Sequence, residues 1–163
     1  MRALDFSDER RAAVLDHLSD DAAWEAFAGA LTGQRLRVYD LRSARVRVDS
    51  TTAKGYVEVD EAGRFQFGPS PDHRPDRPQV KINLATLDPL STTVVSGERA
   101  DDPLYVPEIA KMQRTVGQAG LTYIGDCKMA ALATRAYVVT SGDHYLGPLP
   151  GGQLSREQLL MPV

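Results

Sequence analysis

Two periods divide the chain. Over its first 33 residues apolar side chains recur at helical steps, Val14, Leu15 and Leu18 and then Trp24, Phe27, Ala28 and Leu31, which predicts two helices with a packing stripe each. Ser7 is placed to cap the first, with Asp8 and Glu9 in its first turn, and Ser19 to cap the second, which Gly33 is expected to stop. From residue 35 the period becomes two. In "ARVRVDSTT" Val46 and Val48 fall on one face and Arg45, Arg47 and Asp49 on the other, the mark of a strand with one buried side. "GYVEVDEAGRFQFG" reads as a hairpin turning near "DEAG". "PSPDHRPDRP", with four prolines in ten residues, excludes a regular element. "QVKINLAT" and "TTVVS", joined by a turn at "LDPLS", form a further antiparallel pair.

Residues 103–119 return to helical spacing, with Tyr105, Ile109, Met112 and Val116 on one stripe, Asp102 as cap and Pro103 suited to the first position. Pro107 leaves the start of this helix open by a turn. "LTYIGD" reads as a short buried strand, residues 128–136 as a helix and "YVVTS" as another strand. A strand–helix–strand unit this short implies a parallel pair with a right-handed crossover. The order matches a ribonuclease-H-like sheet, an α/β fold with a mixed sheet, here preceded by two short helices. The expected organisation is a helical lead-in over 1–34, a partial core over 35–150 and a C-terminal segment over 151–163. In such a sheet the first and fourth main strands lie side by side. Asp49 ends the first and Asp126, in "YIGDCKM", ends the fourth.

Composition narrows the class. The chain has 163 residues, 42% hydrophobic and 25% charged, which suits one soluble globular domain with a real core. No run of 18 apolar residues predicts a membrane span, and "MRALDFSDERR" lacks the apolar stretch of a signal peptide, so a reducing cytoplasm is the expected location. The single Cys127 excludes an internal disulfide and does not suggest zinc. A net charge of −3 gives no bulk reason to expect nucleic acid. Local charge is different: Arg35, Arg37, Arg42, Arg45 and Arg47 cluster, and Arg64, Arg74, Arg77 and Lys81 form a second basic stretch. These are either solvated strand faces or phosphate contacts.

Two carboxylates held close repel and raise one another's pKa, a conflict that a divalent cation removes. Hard oxygen ligands favour magnesium or manganese, and a pair of such ions suits phosphodiester chemistry. The competing reading makes Asp126 the cap of the 128–136 helix and Asp49 the cap of a turn at "STT".

The markers "VDSTT", "FGPSPDHRPDRPQ", "VVSGERADDP" and "GDCKMA" stand in one order along residues 35–150. Together they make the chain resemble bacterial insertion-sequence transposases of the DDE type, in the insertion-sequence-four superfamily. The resemblance implies a metal-dependent polynucleotidyl transferase on a ribonuclease-H-like fold, with Asp49 and Asp126 as the first two catalytic and metal-binding acids. Mg²⁺ or Mn²⁺, two ions, is the implied cofactor. DNA at the element's ends and target is the implied partner, contacted by His73, Arg74, Arg77 and Lys81, with a homodimer left open and no membrane. Hydrolysis of a phosphodiester is followed by attack of the freed 3′ hydroxyl on another.

The resemblance breaks at the third acid. The family's glutamate stands on a helix well beyond the second aspartate, and the only late glutamate is Glu157, 31 residues past Asp126 and better suited to the first turn of a helix capped by Ser155. The expectation is an incomplete copy, inactive alone. The alternatives are a non-catalytic or partner-binding remnant on the same fold and a ribonuclease-H-like nuclease using Glu157. Cys127 is expected to be a small buried side chain, and the acids of "ERADD" to cap the 103–119 helix.

Overall fold

In the computed structural model, residues 7–41, 44–69, 72–86, 89–149 and 152 are described. Glu157 and Arg42 lie outside them. The chain divides into two compact units, Met1–Arg42 and Ser43–Val163.

The first unit holds α1 (Asp8–Leu18) and α2 (Asp21–Val38). Ser7 occupies the cap position of α1 without a side-chain capping bond, and Asp20, not Ser19, caps α2 by accepting the Ala23 amide at 2.8 Å. Aspartate one residue later reaches the exposed donor with the better geometry. Gly33 does not stop α2. The helix runs on to Val38, because a glycine weakens a helix interior by only about 1 kcal/mol and ends one mainly where a left-handed residue is needed. The left-handed residue comes later, at Asp40 (φ 44°). The rings of Trp24 and Phe27 lie with centroids 6.2 Å apart, tilted by 43°, yet the stripe they head stays substantially exposed.

The second unit is a five-stranded sheet, ordered β3-β2-β1-β4-β5, formed by β1 (Arg45–Lys54), β2 (Gln79–Thr86), β3 (Pro89–Ser96), β4 (Thr122–Ile124) and β5 (His144–Leu146). β1, β2 and β3 pair antiparallel, while β4 runs parallel to β1 and β5 parallel to β4. That order and those directions are those of a ribonuclease-H-like sheet, with β1 at its centre. Alternation along β1 buries Val46 and Val48, as their spacing predicts. The facing positions Ala85 and Tyr123 are buried with them. Tyr105, Ile109 and Met112 supply the buried stripe of α3 (Tyr105–Val116), which packs on β2, β3 and α4 (Leu132–Thr140). Pro107 sits in the first turn of α3, where its missing N–H has no helical partner to lose. Gly117, at φ 68°, ends the helix with its amide on the Gln113 carbonyl.

Three elements differ from expectation. "YVVTS" is not a strand: Tyr137, Val138 and Val139 continue α4, and the last strand is His144–Leu146. β-branched residues favour strands only weakly, and here Thr134 and Val138, four apart, share one buried helical face. The helix assigned to 128–136 therefore starts later, at Leu132. Residues 55–69 turn where expected, Gly63 donating to the Asp60 carbonyl at 2.9 Å, but no hairpin forms. Gln66 bridges instead to Gln79 at the start of β2, with both backbone bonds at 3.0 Å. Tyr56 and Val57 remain exposed, so the alternation had no face to bury.

Candidate active site

The parallel register pairs Arg45 with Thr122, Val46 with Tyr123 and Arg47 with Ile124. Two residues further along both chains stand Asp49 and Asp126. β4 has ended by then, but the chain stays against β1: a Cβ on Gly125 would lie 3.1 Å from the Val48 carbonyl and 2.5 Å from the Met129 sulfur. The Gly125 amide also donates to Leu146 at 3.1 Å, holding the same point to β5. Asp49 lies in the middle of β1 rather than at its end, on the face opposite Val48.

Asp126 is held by one of its two oxygens. Its Oδ1 accepts the Tyr105 hydroxyl at 2.9 Å and the amides of Lys128 and Met129 at 3.0 and 3.1 Å. Oδ1 thus caps the turn at 127–130, and the expected cap of the 128–136 helix is not formed, since α4 starts at Leu132 with Ala131 at its cap position. Oδ2 makes no hydrogen bond among the described residues. Asp49 is tied less, its Oδ1 accepting only the neighbouring Ser50 amide at 2.9 Å. The Tyr105 side chain is buried, and its hydroxyl lies in the field of Asp126, Asp49 and Asp101. Burial first, and then these carboxylates, push its pKa upward, so it stays a proton donor.

Beside this pair lies a triad that sequence reasoning missed. Asp101 accepts Lys81 Nζ at 2.7 Å on one oxygen and is bridged by Lys128 Nζ on the other. Burial would raise the Asp101 pKa, but the hydrogen bonds from Lys128 and Lys81 outweigh it and hold the group below its ordinary range. Asp101 therefore does not cap α3 through its side chain. Lys81 is only 3% exposed, set on the helix-covered side of the sheet and committed to Asp101. Removing one partner of a buried pair leaves an uncompensated charge, although Lys128 still serves Asp101 here. Lys81→Met is expected to destabilise the protein by about 2 kcal/mol in urea denaturation. Stability equal to wild type would mean the pair contributes nothing.

The remaining candidates are dispersed. His73 is exposed in left-handed backbone at φ 56°, an uncommon state for a histidine. Arg74 forms two bonds to Asp76, at 2.8 and 2.7 Å. Arg77 lies over the Tyr56 ring, 4.8 Å from its centroid. Arg45 and Arg47 are exposed on the strand face that carries Asp49. Cys127 is exposed, not buried, because the turn after Asp126 directs Met129 and Ala130 inward instead.

Two carboxylates with an open oxygen suit a hard divalent cation whose remaining positions are filled by water. Among the described residues no third His, Cys, Asp or Glu joins them. The donor set fits magnesium or manganese weakly.

No protein-family model matches the chain, and no curated protein matches it. Solved structures with a similar chain trace include a Mos1 transposase paired-end complex with the left transposon end, at 12% identity and TM-score 0.44 over 75% of this chain and 40% of that one. A piggyBac transposase synaptic complex with hairpin DNA gives 11% identity and TM-score 0.48 over 78% and 28%. A Mos1 mariner paired-end complex with Mn gives 12% identity and TM-score 0.41 over 75% and 40%. The chain spans less than half the length of each of these. The fold assignment rests on the order and directions of the strands. No helix among the described residues is long and apolar enough to cross a membrane.

Proposed function

We propose that the chain carries the catalytic core of a DDE-type transposase of the insertion-sequence-four kind, acting on DNA phosphodiesters. What supports this reading is that Asp49, on β1, and Asp126, just past the end of β4, each stand two residues beyond the Arg47–Ile124 pair of the central parallel strands, within the "VDSTT" and "GDCKMA" markers. Asp49 and Asp126 would hold Mg²⁺ or Mn²⁺, which supplies electrophilic stabilisation of the phosphodiester and activation of the attacking oxygen. The protein's own contribution is positioning. β1 carries Asp49, the turn after β4 carries Asp126, and Oδ1 of Asp126 is occupied so that Oδ2 is the oxygen on offer. Arg45 and Arg47, on the face of Asp49, supply positive charge for the DNA backbone.

Paramagnetic broadening by Mn²⁺ tests the site. Amide signals of residues 48–50 and 125–128 are expected to broaden first. Broadening centred elsewhere would remove the reading. DNA contact is tested separately by gel shift across a salt series. Binding is expected to be weak, insensitive to sequence and steeply salt-dependent, since phosphate contacts release counterions and read no bases. Replacing Arg45 and Arg47 together by Ala should flatten the salt slope by roughly two units at most, whereas Lys81→Met should leave the slope unchanged. A flattened slope in Lys81→Met would restore that lysine to the DNA contact it was expected to make.

A further inference from the structure

We infer that Tyr105 is a positioning residue for the proposed cation site: its hydroxyl fixes Oδ1 of the Asp126 carboxylate and leaves Oδ2 for a cation shared with Asp49. The inference rests on the function proposed above and concerns a residue outside its two acids. Tyr105 stands 21 residues before Asp126 and belongs to the first turn of α3, so its bond fastens the end of β4 to the helix layer.

Three donors converge on Oδ1, at 2.9, 3.0 and 3.1 Å. The two amides come from the same turn as Asp126 and move with it. Tyr105 is the one donor of the three anchored in a different element, and the residue is 3% exposed. A turn held only by its own amides is free to tilt as a body. A hydroxyl fixed in the core stops that tilt. Lys128 repeats the fastening on the far side of the turn, through Asp101. The arrangement corresponds to an outer-shell hydrogen bond orienting a metal-binding carboxylate, a bond whose removal commonly costs 10–100-fold in metal affinity.

Tyr105→Phe keeps the ring and deletes the hydroxyl. Tyr123→Phe is the control, since the buried Tyr123 hydroxyl has no hydrogen-bond partner among the described residues and losing it should not reach the site. Two measurements are made on the whole chain. In metal-free protein, the Lys128 and Met129 amides are expected to shift and exchange faster in Tyr105→Phe and to stay unchanged in Tyr123→Phe. In a Mn²⁺ titration followed by electron paramagnetic resonance, Tyr105→Phe is expected to bind about 10-fold more weakly, with Tyr123→Phe unchanged. A simple loss of stability would not single out Tyr105 in both measurements. If Asp126→Asn abolishes Mn²⁺ binding while Tyr105→Phe leaves both the affinity and the two amides as in wild type, this inference is overturned and the proposed function stands. If the wild-type chain binds no Mn²⁺, the proposed site and the role of Tyr105 fall together, even where the amides shift.

Discussion

Gly97→Ala is expected to lower stability on the order of 3 kcal/mol, the upper part of what overpacking normally costs. Gly97 follows β3 directly, and a Cβ there would lie 2.7 Å from the Gln66 carbonyl oxygen and closer still to that of Gln79. Neither obstacle is a side chain that can swing aside. Gln66 and Gln79 exchange both backbone bonds with each other, and the Gln79 amide group also donates to the Gly97 carbonyl at 3.1 Å. The approach is close on another side too, since a Cβ on Gly68 would meet the Gly97 carbonyl. A methyl group at 97 must therefore push the strap formed by residues 64–69 off the end of the sheet. For a chain of this length the change corresponds to a fall in melting temperature of about 6–12 °C. Gly29→Ala gives the opposite sign: it lies inside α2 with open space at its Cβ, and should gain up to about 1 kcal/mol. Thermal unfolding followed by circular dichroism reads both. A Gly97→Ala melting point within about 2 °C of wild type would show that the strap yields without resistance.

That glycine also marks how far the sequence could be read. Where one face of an element is buried, the pattern was enough: Val46 and Val48 located β1, and Tyr105, Ile109 and Met112 located α3. Where local preference and long-range packing disagree, the pattern misled. "YVVT" is rich in β-branched residues, yet α4 takes it, and the left-handed Gly142 (φ 77°) just beyond was the better stop signal. The alternation in 55–67 predicted a hairpin, but those side chains found no surface to cover, and a single bridge to β2 holds the segment. Asp49 and Asp126 stood out because each sits in a short motif, one on β1 and the other just past β4. Their surroundings were not. Tyr105 reaches Asp126 across 21 residues, Lys81 reaches Asp101 across 20 and Lys128 reaches it across 27, separations that no local spacing rule encodes. A lysine read from the sequence as part of a basic stretch became the buried half of an ion pair for that reason.

The largest effect on function is expected from the two acids acting as one unit. If Asp49 and Asp126 share a cation, Asp49→Asn alone should weaken Mn²⁺ binding beyond detection, as should Asp126→Asn alone, and the double variant should be no worse than either. Two weak donors completed by water leave little affinity to divide, so losing one donor removes most of it. Groups that work as a unit are non-additive in this way, whereas independent sites more than about 7–10 Å apart add. Asparagine keeps the size and the hydrogen-bonding oxygen, so the turn at 127–130 should survive the change at 126. Calorimetric titration of the four proteins gives the cycle directly. Additive losses would mean two separate ion sites and would sink the shared-cation reading. Strand cleavage follows the same logic with more at stake. Nicking of a labelled inverted-repeat duplex by residues 1–163 in Mn²⁺ is expected to be undetectable, because in-line displacement depends on a metal geometry that two carboxylates hold only loosely. Should nicking be observed, Asp126→Asn should lower it on the order of 10³-fold. The decisive variant would then be Glu157→Gln: loss of nicking there would supply the third carboxylate, and retention would show that cleavage proceeds without Glu157.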